Sequence, residues 1–113
     1  MAMSRSMNVA AVTASITQTQ AGGTVLDADF SVVTCANSSD AVTIPANLPT
    51  GTVFYLRCGA SAGLIYPPLG GAINGGTVNN SKPTDVNVVY MVICTLGGAA
   101  STYIVQKMAV LSA

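Results

Sequence analysis

The sequence predicts an all-β protein, an antiparallel β-sandwich or jelly-roll-like barrel with an extended N-terminal arm. Two observations carry that reading. From residue 24 onward the apolar residues come in short runs separated by clusters of Gly, Pro, Asn and Ser, and no run shows the 3.6-residue period of an amphipathic helix. At the centre, Leu64, Ile65 and Tyr66 run into Pro67 and Pro68, which cannot donate to a sheet ladder, so a strand must stop there. Gly70, Gly71, Asn74 and Gly75 follow, and the Asn-Gly step supplies the positive-φ positions of a tight reversal around a lone buried Ile73.

Taken in order, residues 1–22 are small and polar with weak periodicity. They read as an arm that docks on a partner, with Arg5, Gln18 and Gln20 as its candidate contacts, and residues 23–113 as the β domain. Residues 24–30 are ambiguous. Residues 31–35 and 41–44 are short strands around a loop at 36–40, and residues 47–51 form a turn. Residues 52–58 form the clearest strand, with Val53, Tyr55 and Arg57 alternating against Phe54, Leu56 and Cys58. Another strand covers 64–66, a start of one is expected at Thr77 and Val78, and 79–83 is a loop. Residues 86–95 are apolar on both faces, so this strand is either covered twice within the chain or packs on another subunit. A turn at 96–100 leads to the last strand, 101–110.

At 113 residues the chain forms one domain with one core. Hydrophobic residues make up 50% of it and charged residues only 7%, against roughly 25% in an ordinary soluble domain. That deficit implies a surface covered in an assembly. The candidate interface residues are Tyr66, Val88, Tyr90, Val92 and Tyr103. With a net charge of zero and no basic cluster, nucleic acid is not an expected partner. No apolar run approaches the roughly 20 residues of a membrane helix, and no secretion signal is read at the N-terminus. Cys35, Cys58 and Cys94 lie far apart and read as buried free thiols.

Little chemistry is available. The sequence has no His and no Glu, so no triad or imidazole metal site can form within one chain, and neither enzymatic activity nor a cofactor is expected. The Gly70 to Gly76 run lacks the Lys-Ser or Lys-Thr of a phosphate loop. Asp27 and Asp29 lack the further oxygen ligands of a calcium loop and read as acids on an exposed edge. Tyr66, Tyr90 and Tyr103 suit core or interface packing better than a sugar platform.

The order of features from Gln18 to Tyr103 resembles a group of small β-rich bacteriophage virion proteins. The matching pieces are Thr19-Gln20-Ala21-Gly22-Gly23-Thr24, Asp40-Ala41-Val42-Thr43-Ile44-Pro45, Gly51-Thr52-Val53, Tyr66-Pro67-Pro68 with Gly70-Gly71, Ile73-Asn74-Gly75, and a Cys94 strand before Tyr103. The resemblance implies a capsid decoration, or cement, protein. Such a protein would be a homotrimer on the outer surface of the phage head, made in the host cytoplasm and tying neighbouring copies of the major capsid protein together. The alternative is a head-fibre or tail-fibre domain that binds a host surface glycan.

Overall fold

The computed structural model describes residues 7–110. Ten strands form two sheets, and among the described residues there is no helix. The first six are β1 (Val9–Thr13), β2 (Thr24–Val25), β3 (Phe30–Thr34), β4 (Ala41–Thr43), β5 (Val53–Gly59) and β6 (Leu64–Tyr66). The last four are β7 (Ala72–Ile73), β8 (Lys82–Pro83), β9 (Val88–Leu96) and β10 (Thr102–Val110). One sheet has six strands in the order β1-β3-β5-β9-β10-β7, and the other has four in the order β2-β4-β6-β8.

The chain crosses between the sheets at every step from β1 to β9. Consequently β1, β3 and β5 are parallel neighbours in the large sheet, and β2, β4 and β6 are parallel neighbours in the small one. Residues 9–66 are therefore a flattened coil that repeats every roughly 20 residues, as in solenoids. Antiparallel pairing enters only at the far end, where β9 joins β5, β10 joins β9 and β8 joins β6. The sheets are thus mixed, where antiparallel sheets were expected. The reason lies in the links. Short connectors such as 26–29 and 60–63 have hairpin lengths, yet they arch from one sheet to the other, and strand alternation looks the same in either case.

The core lies between the sheets. Val33, Leu56, Tyr90, Val92 and Cys94 from the large sheet meet Leu26, Val42, Ile44 and Ile65 from the small side, all at most 2% exposed. Burying each aliphatic side chain contributes about 1.5–3 kcal/mol. The three cysteines are free and buried, and the Cys35 thiol is pushed up to about 12 by burial and by the adjacent Cys58. The Cys35 thiol stays protonated at neutral pH, and all three buried cysteines pack as small apolar groups.

The central turn follows the expected chemistry. Strand β6 ends at Tyr66, and Asn74 and Gly75 take φ of 53° and 70° in a turn closed by the Gly76 N–H on the Ile73 carbonyl at 2.9 Å. Ile73 is 6% exposed. Gly70 and Gly71 are tied to Asn79, whose Oδ1 accepts from the Gly70 N–H at 2.7 Å and whose own N–H donates to the Gly71 carbonyl at 2.8 Å. Thr77 and Val78 form no strand, and β8 falls within the expected loop.

Residues 1–22 were expected to form an arm. In their described part, Val9–Thr13 is a strand of the large sheet, Ala14 is in the core, and Ser15 and Ala41 exchange two backbone bonds at 2.9 Å. The next residues lie against the small sheet. The Gln18 side-chain amide donates to Asp40 at 3.1 Å, the Gln20 amide donates to the Pro67 carbonyl at 3.3 Å, and the Thr43 and Tyr66 hydroxyls donate to the Gln20 and Gln18 carbonyls. Asp40 also accepts the Ala36 and Asn37 N–H groups, both at 3.1 Å, and the Gln18 bond is the largest influence holding its carboxyl below the ordinary 3.8.

Two outcomes follow for stability. Gly63 packs so closely that an added Cβ would lie 2.7 Å from the Cys35 sulfur and 3.1 Å from the Asp40 carbonyl. Gly63→Ala should therefore cost about 1–3 kcal/mol in urea denaturation, and an unchanged midpoint would refute this packing. Because folding lowers the Asp40 pKa, its bonds stabilise the protein above the unfolded value of 3.8 and that contribution is lost as pH falls through the lower folded value. Asp40→Asn should be less stable than wild type at neutral pH, and the gap should shrink on acidification below about pH 4. Denaturation curves across that range check both points, and a constant gap would contradict the assignment.

Candidate interaction surface

Sheet faces in this chain are unequal. The outer face of the small sheet is overlaid by residues 15–22, which leaves Ala41 and Thr43 buried at 0% and 5%. The outer face of the large sheet has no such cover among the described residues. It is built by alternation: β5 and β9 turn Phe54, Leu56, Cys58, Val88, Tyr90, Val92 and Cys94 inward, and their neighbours in sequence point out.

Cross-strand register arranges the outward side chains in rows. Val9, Phe30, Tyr55 and Met91 are successive partners across β1, β3, β5 and β9. Ala11, Val32, Arg57 and Val89 form a second row, and Val53, Ile93 and Ile104 a third. The Phe30 and Tyr55 rings stack with centroids 6.4 Å apart and planes 20° from parallel. Val9, Val53 and Ile104 are 61%, 42% and 43% exposed. Arg57 is the one charged residue in these rows, held by the Asn87 side-chain oxygen at 3.3 Å. Five strands at about 4.8 Å spacing and five residues at about 3.3 Å rise give a face of roughly 400 Å² in projection. A face of that size is comparable with the largest apolar patch of an ordinary monomer, which is often functional.

Of the candidate interface residues, Val88, Tyr90, Val92 and Tyr103 are only 0–2% exposed within the single chain. They belong to its own core and are not available at the surface to form the interface expected there. Tyr103 donates to the Ser101 hydroxyl at 2.8 Å, and Tyr90 accepts the Asp85 N–H at 2.8 Å. Tyr66 is half-buried, and with Tyr90 and Tyr103 inside, the three tyrosines form no common platform. Gln18 and Gln20 bind the chain's own small sheet, as described above. Arg5 lies outside the described residues. Phe30, Val32, Tyr55, Met91 and Ile93 were missed as surface residues. Their alternation was visible, but both faces of these strands are apolar, so periodicity alone could not say which face turned inward.

Other features hold less. Asp29 accepts the Asn8 N–H at 2.9 Å, which uses it in tying β1 down. A pocket of about 150 Å³ beside Asp27, Asp29 and Leu48 is below the roughly 300 Å³ of ordinary ligand sites. Among the described residues no group of three or more His, Cys, Asp or Glu is placed to hold a metal ion. No helix of the described residues is long and apolar enough to cross a membrane.

No protein-family model, curated protein or solved structure matches the chain.

The outer face generates one direct expectation. Met91→Glu places a carboxylate at its middle, on a half-buried side chain opposite Tyr55 of β5. It should shift folding stability by no more than about 0.5 kcal/mol and abolish concentration-dependent sedimentation. Unchanged association would show that this face is not an interface.

Proposed function

We propose that the chain is a structural virion protein, a decoration or cement protein that binds the outside of a phage head as a homotrimer and stabilises contacts between major capsid proteins. The observation that carries the reading is the uncovered apolar face of the large sheet on a chain with only eight charged residues. Three flat apolar faces can close around a three-fold axis, each burying its rows against the other two, and closed cyclic symmetry prevents runaway association. The sequence pieces around the Pro67-Pro68 and Asn74-Gly75 turns supply the phage context. Stabilisation requires no chemistry: a protein that binds the assembled shell better than its free subunits raises shell stability by mass action. Repetition over the shell lets each contact stay modest.

A second reading, a head-fibre or tail-fibre domain that binds a host glycan, draws on the parallel coil. Coils add along one axis, which suits a module at the end of a shaft.

Purified protein mixed with undecorated heads of its phage separates the two. Under the decoration reading it co-sediments at a fixed ratio and raises the temperature at which the heads rupture. Absence of head binding, together with retention on host-surface glycans, would overturn that reading in favour of the fibre.

A further inference from the structure

Each sheet has two edges, and among the described residues three of the four end in two-residue strands that offer little ladder. At the β7 end of the large sheet, the Asn74 side chain acts as an extra ladder residue: its Oδ1 accepts the Val105 N–H at 2.9 Å and its Nδ2 donates to the Val105 carbonyl at 3.1 Å. Strand β8 is two residues long and contains Pro83, which has no N–H to offer. Strand β2 is also two residues long, and the Thr24 hydroxyl turns inward to the Thr13 carbonyl at 2.8 Å.

Among the described residues the fourth edge, β1, has one such contact, the Thr24 hydroxyl on the Thr13 carbonyl, and the outward groups of Val9 and Ala11 have no partner. Its five residues, Val-Ala-Ala-Val-Thr, contain no charge and no proline. Parallel pairing with β3 fixes which backbone groups remain. The Phe30 N–H bonds to the Asn8 carbonyl at 3.0 Å and the Ala14 N–H to the Thr34 carbonyl at 2.9 Å, so Ala10 and Val12 face β3 and the groups of Val9, Ala11 and Thr13 face outward. A long, uncharged, apolar edge with free ladder groups is what soluble proteins ordinarily avoid.

We propose that β1 pairs with β1 of a second copy, antiparallel, about a two-fold axis through Ala11. Two facts select this occupant. Head-to-tail stacking of copies would need a matching edge at the other end of the coil, and that end offers only the two-residue strands β7 and β8, with the Asn74 clamp on Val105 and Pro83 interrupting the ladder. In the two-fold arrangement the outward residues match without a shift: Ala11 meets Ala11 of the other copy, and Val9 meets Thr13 in both directions, each a hydrogen-bonded pair. The small Ala side chains let the strands approach, and the two large sheets become one continuous sheet with their apolar faces on the same side. This contact is independent of the face of the large sheet. Neighbouring three-fold positions on an icosahedral lattice are related by two-fold axes, so both contacts can operate at once.

Single-cysteine variants test it on the purified protein alone, with no heads present. The native thiols are buried, so an introduced surface cysteine is the reactive one. Ala11→Cys places two thiols across the axis at a Cα separation of about 5.5 Å, within disulfide range. Under mild oxidation its band should shift from one chain to two on a non-reducing gel. Val9→Cys, exposed on the same strand but opposite Thr13, should stay at one chain. Equal cross-linking of the two variants would indicate random collision or parallel pairing, and absence of cross-linking in Ala11→Cys would remove the contact; either overturns the proposal. Because no heads are used, failure here leaves the decoration reading untouched.

Discussion

Everything in this molecule depends on the chain changing sheets at each step. A strand that leaves one sheet and returns to it after a visit to the other arrives pointing the same way, so its neighbour must be parallel and one coil earlier. Register then fixes which side chains meet. Val33, Leu56 and Tyr90 come to face Val42 and Ile65 across one thin core, and nearly every large inward side chain is consumed by it. The arches must also be tight. Gly63 sits where Cys35, Asp40 and Cys58 converge, and Thr84 clamps it by exchanging hydrogen bonds with both its N–H and its carbonyl, at 2.9 and 3.0 Å.

A two-layer coil has a consequence at its surfaces. With no helix to cover either sheet, outer faces must be polar, overlaid or shared with another molecule. The small sheet is overlaid by the chain's own residues 15–22. Among the described residues the large sheet is not overlaid, and its rows of Val, Phe, Tyr, Met and Ile hold one charge, Arg57, with Gln106 of β10 beyond Met91. The charge deficit of the sequence is thereby given a location. The eight charges are also spread thin: Lys107 and Asp85 pair at 2.6 Å on the surface, with side chains 51% and 65% exposed, and such a pair contributes little.

Much of the local structure was legible. The end of β6 at Tyr66, the Asn74-Gly75 reversal, the buried Ile73, the free thiols and the alternation of β5 all rest on chemistry within a few residues, which a sequence displays directly. What was not legible was long-range. The parallel coil is invisible because an arch and a hairpin use the same Gly, Asn and Ser. Strand β1 was read as part of an arm because its apolar residues are small and its partner, β3, lies about twenty residues away. Val88, Tyr90 and Val92, which lie in the core, were expected at a surface because they look no more apolar than Val89, Met91 and Ile93. Only the position of the second sheet distinguishes them.

The claim on which the functional account rests is that the large sheet's outer face is buried between copies. The molar mass of the wild-type protein in solution, measured by light scattering over a range of concentrations, tests it most directly. A mass of three chains, or of a multiple of three where β1 edges also pair, is the expected result. A monomer that persists at high concentration would contradict it, because an apolar face left in water by a stable, soluble single chain needs no partner.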